Sequence, residues 1–156
     1  MKTEGSAGWM YNYNYYEEDI RQNQGLIRDI NRAANDEYQA IQYYSALANM
    51  APNNQIKQII LAIRQDEIRH LNAFSRSFHR LTGGYPNLTL QEPPKSFRQG
   101  IRESIKDEGQ TPAFYRSIAS RTTDEPTRRR FLQAAMDEAR HEQLFRQMAN
   151  QLGIRV

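Results

Sequence analysis

Residues 54–81 read NQIKQIILAIRQDEIRHLNAFSRSFHRL, and their periodicity decides the fold. Ile56, Ile60, Ile63, Glu67, His70, Phe74 and Leu81 recur at steps of three, four and seven, which puts them on one helical face. Two titratable residues interrupt that apolar stripe. Glu67 and His70 lie three apart, so they share a face and can bind one ion together. The string Asp66-Glu67-Ile68-Arg69-His70 returns 71 residues later as Asp137-Glu138-Ala139-Arg140-His141. The second copy sits on its own stripe of Phe131, Ala134, Glu138, His141, Phe145, Met148 and Leu152.

The same offset aligns much more than the two strings. Residues 34–75 match 105–146 at 11 of 42 positions without a gap, whereas chance pairing of average composition gives about two or three. Asp36-Glu37 falls on Asp107-Glu108, Gln39 on Gln110, Tyr44 on Tyr115 and Phe74 on Phe145. The chain is therefore a duplicated helical hairpin, and the two copies are expected to be related by a pseudo-two-fold axis.

Gly and Pro cut the chain into four helical segments: Asp19 to Asn49, Asn54 to Leu81, Ser96 to Arg121, and Glu125 to Leu152. Ser96 is a plausible N-cap, and Thr122 to Pro126 reads as turn, cap and first-turn Pro. Helices of about 25 residues span about 38 Å. The first and last connections are short, so each hairpin is antiparallel. The middle loop, Thr82 to Lys95, reaches about 46 Å, enough for one crossover along the bundle. These readings predict an all-α, ferritin-like four-helix bundle over residues 19–156. Residues 1–18 hold the Tyr/Asn-rich run Met10 to Tyr16 without periodicity, and read as a loosely ordered tail or an aromatic docking arm.

Composition narrows the chemistry. Among 156 residues there are three His and no Cys, so thiolate zinc, iron–sulfur and thiol-nucleophile chemistry are excluded for this chain. Lys and Arg number 21 against 18 Asp and Glu, and they are scattered, which gives no case for nucleic acid. Mean hydropathy is −0.86, and no segment approaches the roughly 20 apolar residues of a membrane span. No apolar leader is visible, and the expected compartment is the cytosol.

The repeat preserves a ligand spacing. Glu37 precedes Glu67 by 30 residues, as Glu108 precedes Glu138. Four carboxylates and two imidazoles then point into the core, and their four negative charges match two divalent cations. Burying that charge without a metal is costly. Oxygen and nitrogen ligands of this kind suit iron or manganese, and zinc also binds them. Asp66 and Asp137 each lie four residues before a candidate His ligand, where a carboxylate accepting the His Nδ1–H fixes its orientation. His79 lies outside the repeat and reads as a surface residue.

The Glu…Glu-x-x-His…Glu…Glu-x-x-His pattern resembles the ferritin-like di-iron carboxylate proteins, and its near-symmetry is most similar to the rubrerythrin branch. The resemblance implies that Glu37 and Glu108 each serve one metal and that Glu67 and Glu138 bridge the pair. His70 and His141 would each bind one ion. It also implies that Tyr44 and Tyr115 hydrogen-bond ligand carboxylates, and that the Asp–His pairs cross the bundle, Asp66 to His141 and Asp137 to His70. Arg69 and Arg140 would balance those Asp charges. The activity implied is reduction of peroxide or reaction with O2. Without Cys, electrons would come from a separate donor protein. A homodimer or higher homo-oligomer is expected. Ferroxidase iron storage, or a structural coat protein with a vestigial site, are the alternative functions.

Two departures stand out. Rubrerythrins carry an extra Glu three residues after the third-helix ligand, and here that position is Thr111. Gly109 and Pro112 follow Glu108 closely, and Pro112 denies an amide to the Glu108 carbonyl. A kink or bulge is expected there, or a helix that restarts at Thr111 and displaces Glu108.

Overall fold

A computed structural model describes the backbone from residue 7 onward and the side chains from residue 17 onward. It contains four helices: α1 (Ala7–Asn49), α2 (Asn54–Thr82), α3 (Phe97–Arg121) and α4 (Glu125–Gln151). All of the Tyr/Asn-rich run, Met10 to Tyr16, lies outside the residues whose side chains are described. The backbone of α1 nevertheless crosses the expected boundary at residue 19 and begins at Ala7. No Pro occurs before Pro52 to stop it. Packing onto the bundle starts at Leu26, and residues 18–24 are exposed.

The other boundaries follow from local chemistry. Asn53 Oδ1 accepts the Ile56 amide at 2.9 Å, Ser96 Oγ accepts that of Gln99 at 3.2 Å, and Asp124 Oδ2 accepts that of Thr127 at 3.1 Å. Each side chain satisfies an amide the first helical turn leaves free. Gly83 ends α2 at φ 75°, where a side chain would be strained, and its N–H returns to the His79 carbonyl.

The hairpins α1/α2 and α3/α4 form the tightest pairs, and they meet through α2 with α4 and α1 with α3. The crossover between them is strapped along α1. Asn31 Oδ1 accepts the Asn87 amide, Asn35 Oδ1 accepts the Thr89 amide, and the Gln39 carbonyl accepts from Gln91 Nε2. The register is physical: two extended residues rise about 6.6 Å while four helical residues rise about 6 Å. The strap thus runs parallel to α1 and delivers α3 beside the end of α1. There Gly100 lets the helices close, because a Cβ would lie 2.5 Å from Leu47 Cδ1.

Two apolar clusters plug the ends of the bundle. One gathers Leu47, Ile56, Ile60, Ile101, Phe145 and Met148, among others. The other gathers Ile30, Phe74, Tyr115, Ile118 and Phe131, among others. Between them lies a layer of buried carboxylates and imidazoles. No helix among the described residues is long and apolar enough to cross a membrane.

Candidate metal centre

Each hairpin contributes three side chains to that layer. Glu37 comes from α1, Glu67 and His70 from α2, Glu108 from α3, and Glu138 and His141 from α4. All six are buried, none exposing more than 5% of its surface. They form two sets, Glu37, Glu67, His70 and Glu138, and Glu67, Glu108, Glu138 and His141. Within each set, ligand atoms lie within 4.8 Å of one another. Glu67 and Glu138 belong to both.

The distances repeat under the 71-residue shift. His70 Nδ1 is 2.9 Å from Glu138 Oε1 and 3.4 Å from Glu37 Oε1. His141 Nδ1 is 3.1 Å from Glu67 Oε1 and 3.6 Å from Glu108 Oε2. Closeness here is not pairing. Glu67 Oε1, Glu108 Oε2, Glu138 Oε1 and His141 Nδ1 are all buried with no aligned hydrogen-bond partner. An orphaned buried acceptor costs about 1–3 kcal/mol, more when charged, so four at one point are a liability unless something else satisfies them. Four carboxylates and two imidazoles are the donor set that divalent cations take. These residues therefore fit two metal ions.

The electrostatics point the same way. Burial, then the charges of Glu138 and Glu67, push the Glu37 carboxyl well above the usual range. Burial and Glu138 do the same to Glu108. Burial alone would pull the imidazoles down, but the negative carboxylates around them reverse it and hold both His well above their ordinary value. Protons stand in for positive charge in this arrangement.

A second ring of contacts crosses between hairpins. The Tyr44 hydroxyl donates to Glu108 Oε1, and the Tyr115 hydroxyl donates to Glu37 Oε1. Burial first, then neighbouring Glu charge, raises both phenols, so they stay protonated as donors. Asp66 Oδ2 lies 2.9 Å from His141 Nε2, and Asp137 Oδ2 lies 3.0 Å from His70 Nε2. The four-residue spacing predicts a contact from each Asp to a His Nδ1; the structure puts the Asp on Nε2 instead. The reason is reach. Nδ1 lies nearer its own backbone, beside the Glu one turn back, while Nε2 at the far tip of the ring spans to the facing helix. Arg140 donates to Asp66 Oδ2 at 2.7 Å and Asp137 Oδ1 at 3.2 Å, and Arg69 pairs with Asp66.

Pro112 does not displace Glu108. Helix α3 runs unbroken from Phe97 to Arg121 without a π turn, and Glu108 is 3% exposed. Thr111, where an extra Glu was expected, donates its hydroxyl to the Asp107 carbonyl. His79 sits away from the centre, stacked on Tyr85.

The centre is open on one side. A cavity of about 330 Å³ between α1 and α3 is lined by Glu37, Glu67, Glu108 and Glu138 at its inner end and by Asp36, Asp107, Gln39, Gln110 and Gln91 farther out. The 71-residue offset aligns Asp36 with Asp107 and Gln39 with Gln110, but the ligand spacing alone assigns them no role. Their identity across the repeat was the available signal.

Comparison with known proteins places the chain in a family. The chain is 38% identical over 133 residues to the uncharacterized protein YhjR of Bacillus subtilis (strain 168), a match spanning 84% of this chain and 91% of that one. A hypothetical protein from Pyrococcus furiosus shares the fold, with a TM-score of 0.72 at 18% identity, covering 81% of this chain and 89% of that chain. The family model for rubrerythrin matches residues 30–149, which contain every residue of the candidate centre. By that match the chain belongs to the rubrerythrin family.

Proposed function

We propose that this chain is a di-iron oxidoreductase that reduces hydrogen peroxide. The observation that carries the reading is the set of four orphaned buried ligand atoms shared between two overlapping Glu/His groups. Glu37 and His70 would hold one ion, Glu108 and His141 the other, and Glu67 and Glu138 would bridge them. Iron held there would supply the two electrons that peroxide reduction needs. Peroxide, two electrons and two protons give two waters.

The protein's part is positioning. Tyr44 and Tyr115 fix the carboxylates of Glu108 and Glu37, and Asp66 and Asp137 fix the imidazole rings. The cavity offers an oxidant a polar approach to the bridging pair. This chain has no Cys to hold a rubredoxin-type iron, so a separate donor protein would return the electrons.

The test is metal analysis followed by anaerobic reoxidation. Two irons per chain, and reoxidation by peroxide faster than that of free ferrous ion and faster than by O2, are the expected results. Iron that does not bind, or that reoxidises at the free-ion rate, would sink the reading.

A further inference from the structure

The two sides of the centre differ. On the α2/α4 side the His–Asp contacts and the Arg140 bridge close the layer. On the α1/α3 side lies the cavity. Fourteen of its seventeen lining residues form seven pairs 71 positions apart. Glu37 pairs with Glu108, Asp36 with Asp107, and Gln39 with Gln110. A cavity lined by both members of each pair sits on the pseudo-two-fold axis. It therefore meets the two Glu/His groups equivalently, between them rather than beside one.

Its mouth is acidic. Asp36 and Asp107 lie on facing helices, both exposed and both lining the cavity. They occupy equivalent positions on the two helices, one residue before Glu37 and Glu108. Arg32 offsets part of this charge at 3.6 Å from Asp36, while also lying 4.6 Å over the Phe114 ring. At the inner end stand the buried carboxylates of Glu67, Glu108 and Glu138, each with an oxygen that has no partner. Low-dielectric walls focus the field of the mouth carboxylates, and the Glu67, Glu108 and Glu138 oxygens offer an entering cation ligands at the inner end.

Resting on the di-metal reading above, we propose that the pseudo-two-fold cavity is the route by which divalent cations reach the centre, with Asp36 and Asp107 as the carboxylates that capture them. A cation arriving at the mouth meets both carboxylates on the cavity lining. It then exchanges water for Glu67 and Glu138, the two carboxylates common to both groups, before settling on either side. The Gln39 and Gln110 amides offer neutral oxygens along the way without adding charge that would trap the ion.

The experiment follows Co2+ uptake by apoprotein in a stopped-flow spectrometer, with calorimetry for the final stoichiometry. Asp36→Asn/Asp107→Asn should slow uptake about tenfold at low ionic strength, the lower end of electrostatic steering effects. Both proteins should still finish at two Co2+ per chain. Raising salt from about 20 mM to about 200 mM should slow the wild type and leave the variant nearly unchanged. Glu18→Gln/Asp19→Asn removes the same charge from the exposed part of α1 and should not alter the rate. Ala40→Phe, which narrows the cavity without changing charge, should slow uptake at every salt concentration. An uptake rate within twofold of wild type in the Asp36/Asp107 variant, or equal slowing in the Glu18/Asp19 control, overturns the route while leaving the di-metal reading intact. A wild type that binds no Co2+ overturns both.

Discussion

Asp66 on α2 holds His141 on α4, its Oδ2 lying 2.9 Å from the ring Nε2. Asp137 returns the contact to His70 at 3.0 Å. Each hairpin thus orients the histidine of the other, and the tyrosines do the same for the carboxylates. Neither hairpin can build its half of the centre alone, although each carries a complete Glu…Glu-x-x-His sequence. The contact fixes the division of labour on the ring as well: Nε2 is committed to aspartate, which leaves Nδ1 to face the cluster.

Asp66→Asn keeps an oxygen in place but removes the charge that stabilises and orients the imidazole. Loss of such an outer partner typically weakens metal binding about 10–100-fold. The expected result is a drop of that size for the ion on the His141 side, with the other ion less affected, read by calorimetric metal titration. Asp137→Asn should mirror it on the His70 side.

The metal-free protein should lose stability as pH rises. Glu37 and Glu108 are raised in the folded state, so above about pH 4.3, their ordinary value, the fold holds protons that the unfolded chain has released. His70 and His141 are raised too, so their contribution is full below about pH 6.5 and is lost as pH climbs toward their folded values. The two effects share a sign. Asp66 is lowered, net, by His141 and the two Arg despite its burial, and its contribution is lost only in acid, below this window. The Tm of apoprotein should therefore fall between about pH 6.5 and about pH 9. The metal-loaded protein, in which cations replace those protons, should show a much flatter profile.

Much of this was readable in the chain because the duplication doubles every signal. One Glu-x-x-His on an apolar stripe is ambiguous, but two with matched Glu partners 30 residues upstream are not. The helix starts at Ser96 and at the Thr122 to Pro126 turn were equally legible, since capping is local chemistry. What the sequence did not specify was three-dimensional. The choice of Nε2 over Nδ1 depends on the α2–α4 separation, which no spacing encodes. The start of α1 at Ala7 was obscured because a Tyr/Asn-rich run has no amphipathic period to read. Pro112 looked disruptive in isolation, yet helix α3 absorbs it with the ring buried and Glu108 in place.

Phe74 supports the centre from the apolar side. Its ring stacks on Phe131 at 4.0 Å between centroids, meets Tyr115 edge-on at 5.0 Å, and is fully buried. Phe74→Ala should cost about 3–5 kcal/mol of folding stability, the range for buried aromatic truncation, measured by denaturant unfolding of apoprotein. Because Tyr115 loses a wall, the variant should also bind metal more weakly on the Glu37 side.

The tyrosines allow the two half-sites to be separated. Tyr115 donates to Glu37, in the group that contains His70, and Tyr44 donates to Glu108, in the group that contains His141. Removing one hydroxyl leaves one carboxylate oxygen buried without its donor, a cost of about 1–3 kcal/mol. Part of that cost appears as weaker binding of the ion on the same side, because a loosened carboxylate must be ordered again. Tyr115→Phe should therefore weaken the His70-side ion, Tyr44→Phe the His141-side ion, and each should widen the gap between the two stepwise affinities. The double variant should bring the affinities together again at a weaker level, since both halves are then equally impaired. Two-site calorimetric titration of the four proteins reads this directly. Equal weakening of both steps by each single substitution would mean that the tyrosines act on the bridging pair as a whole and not on separate halves.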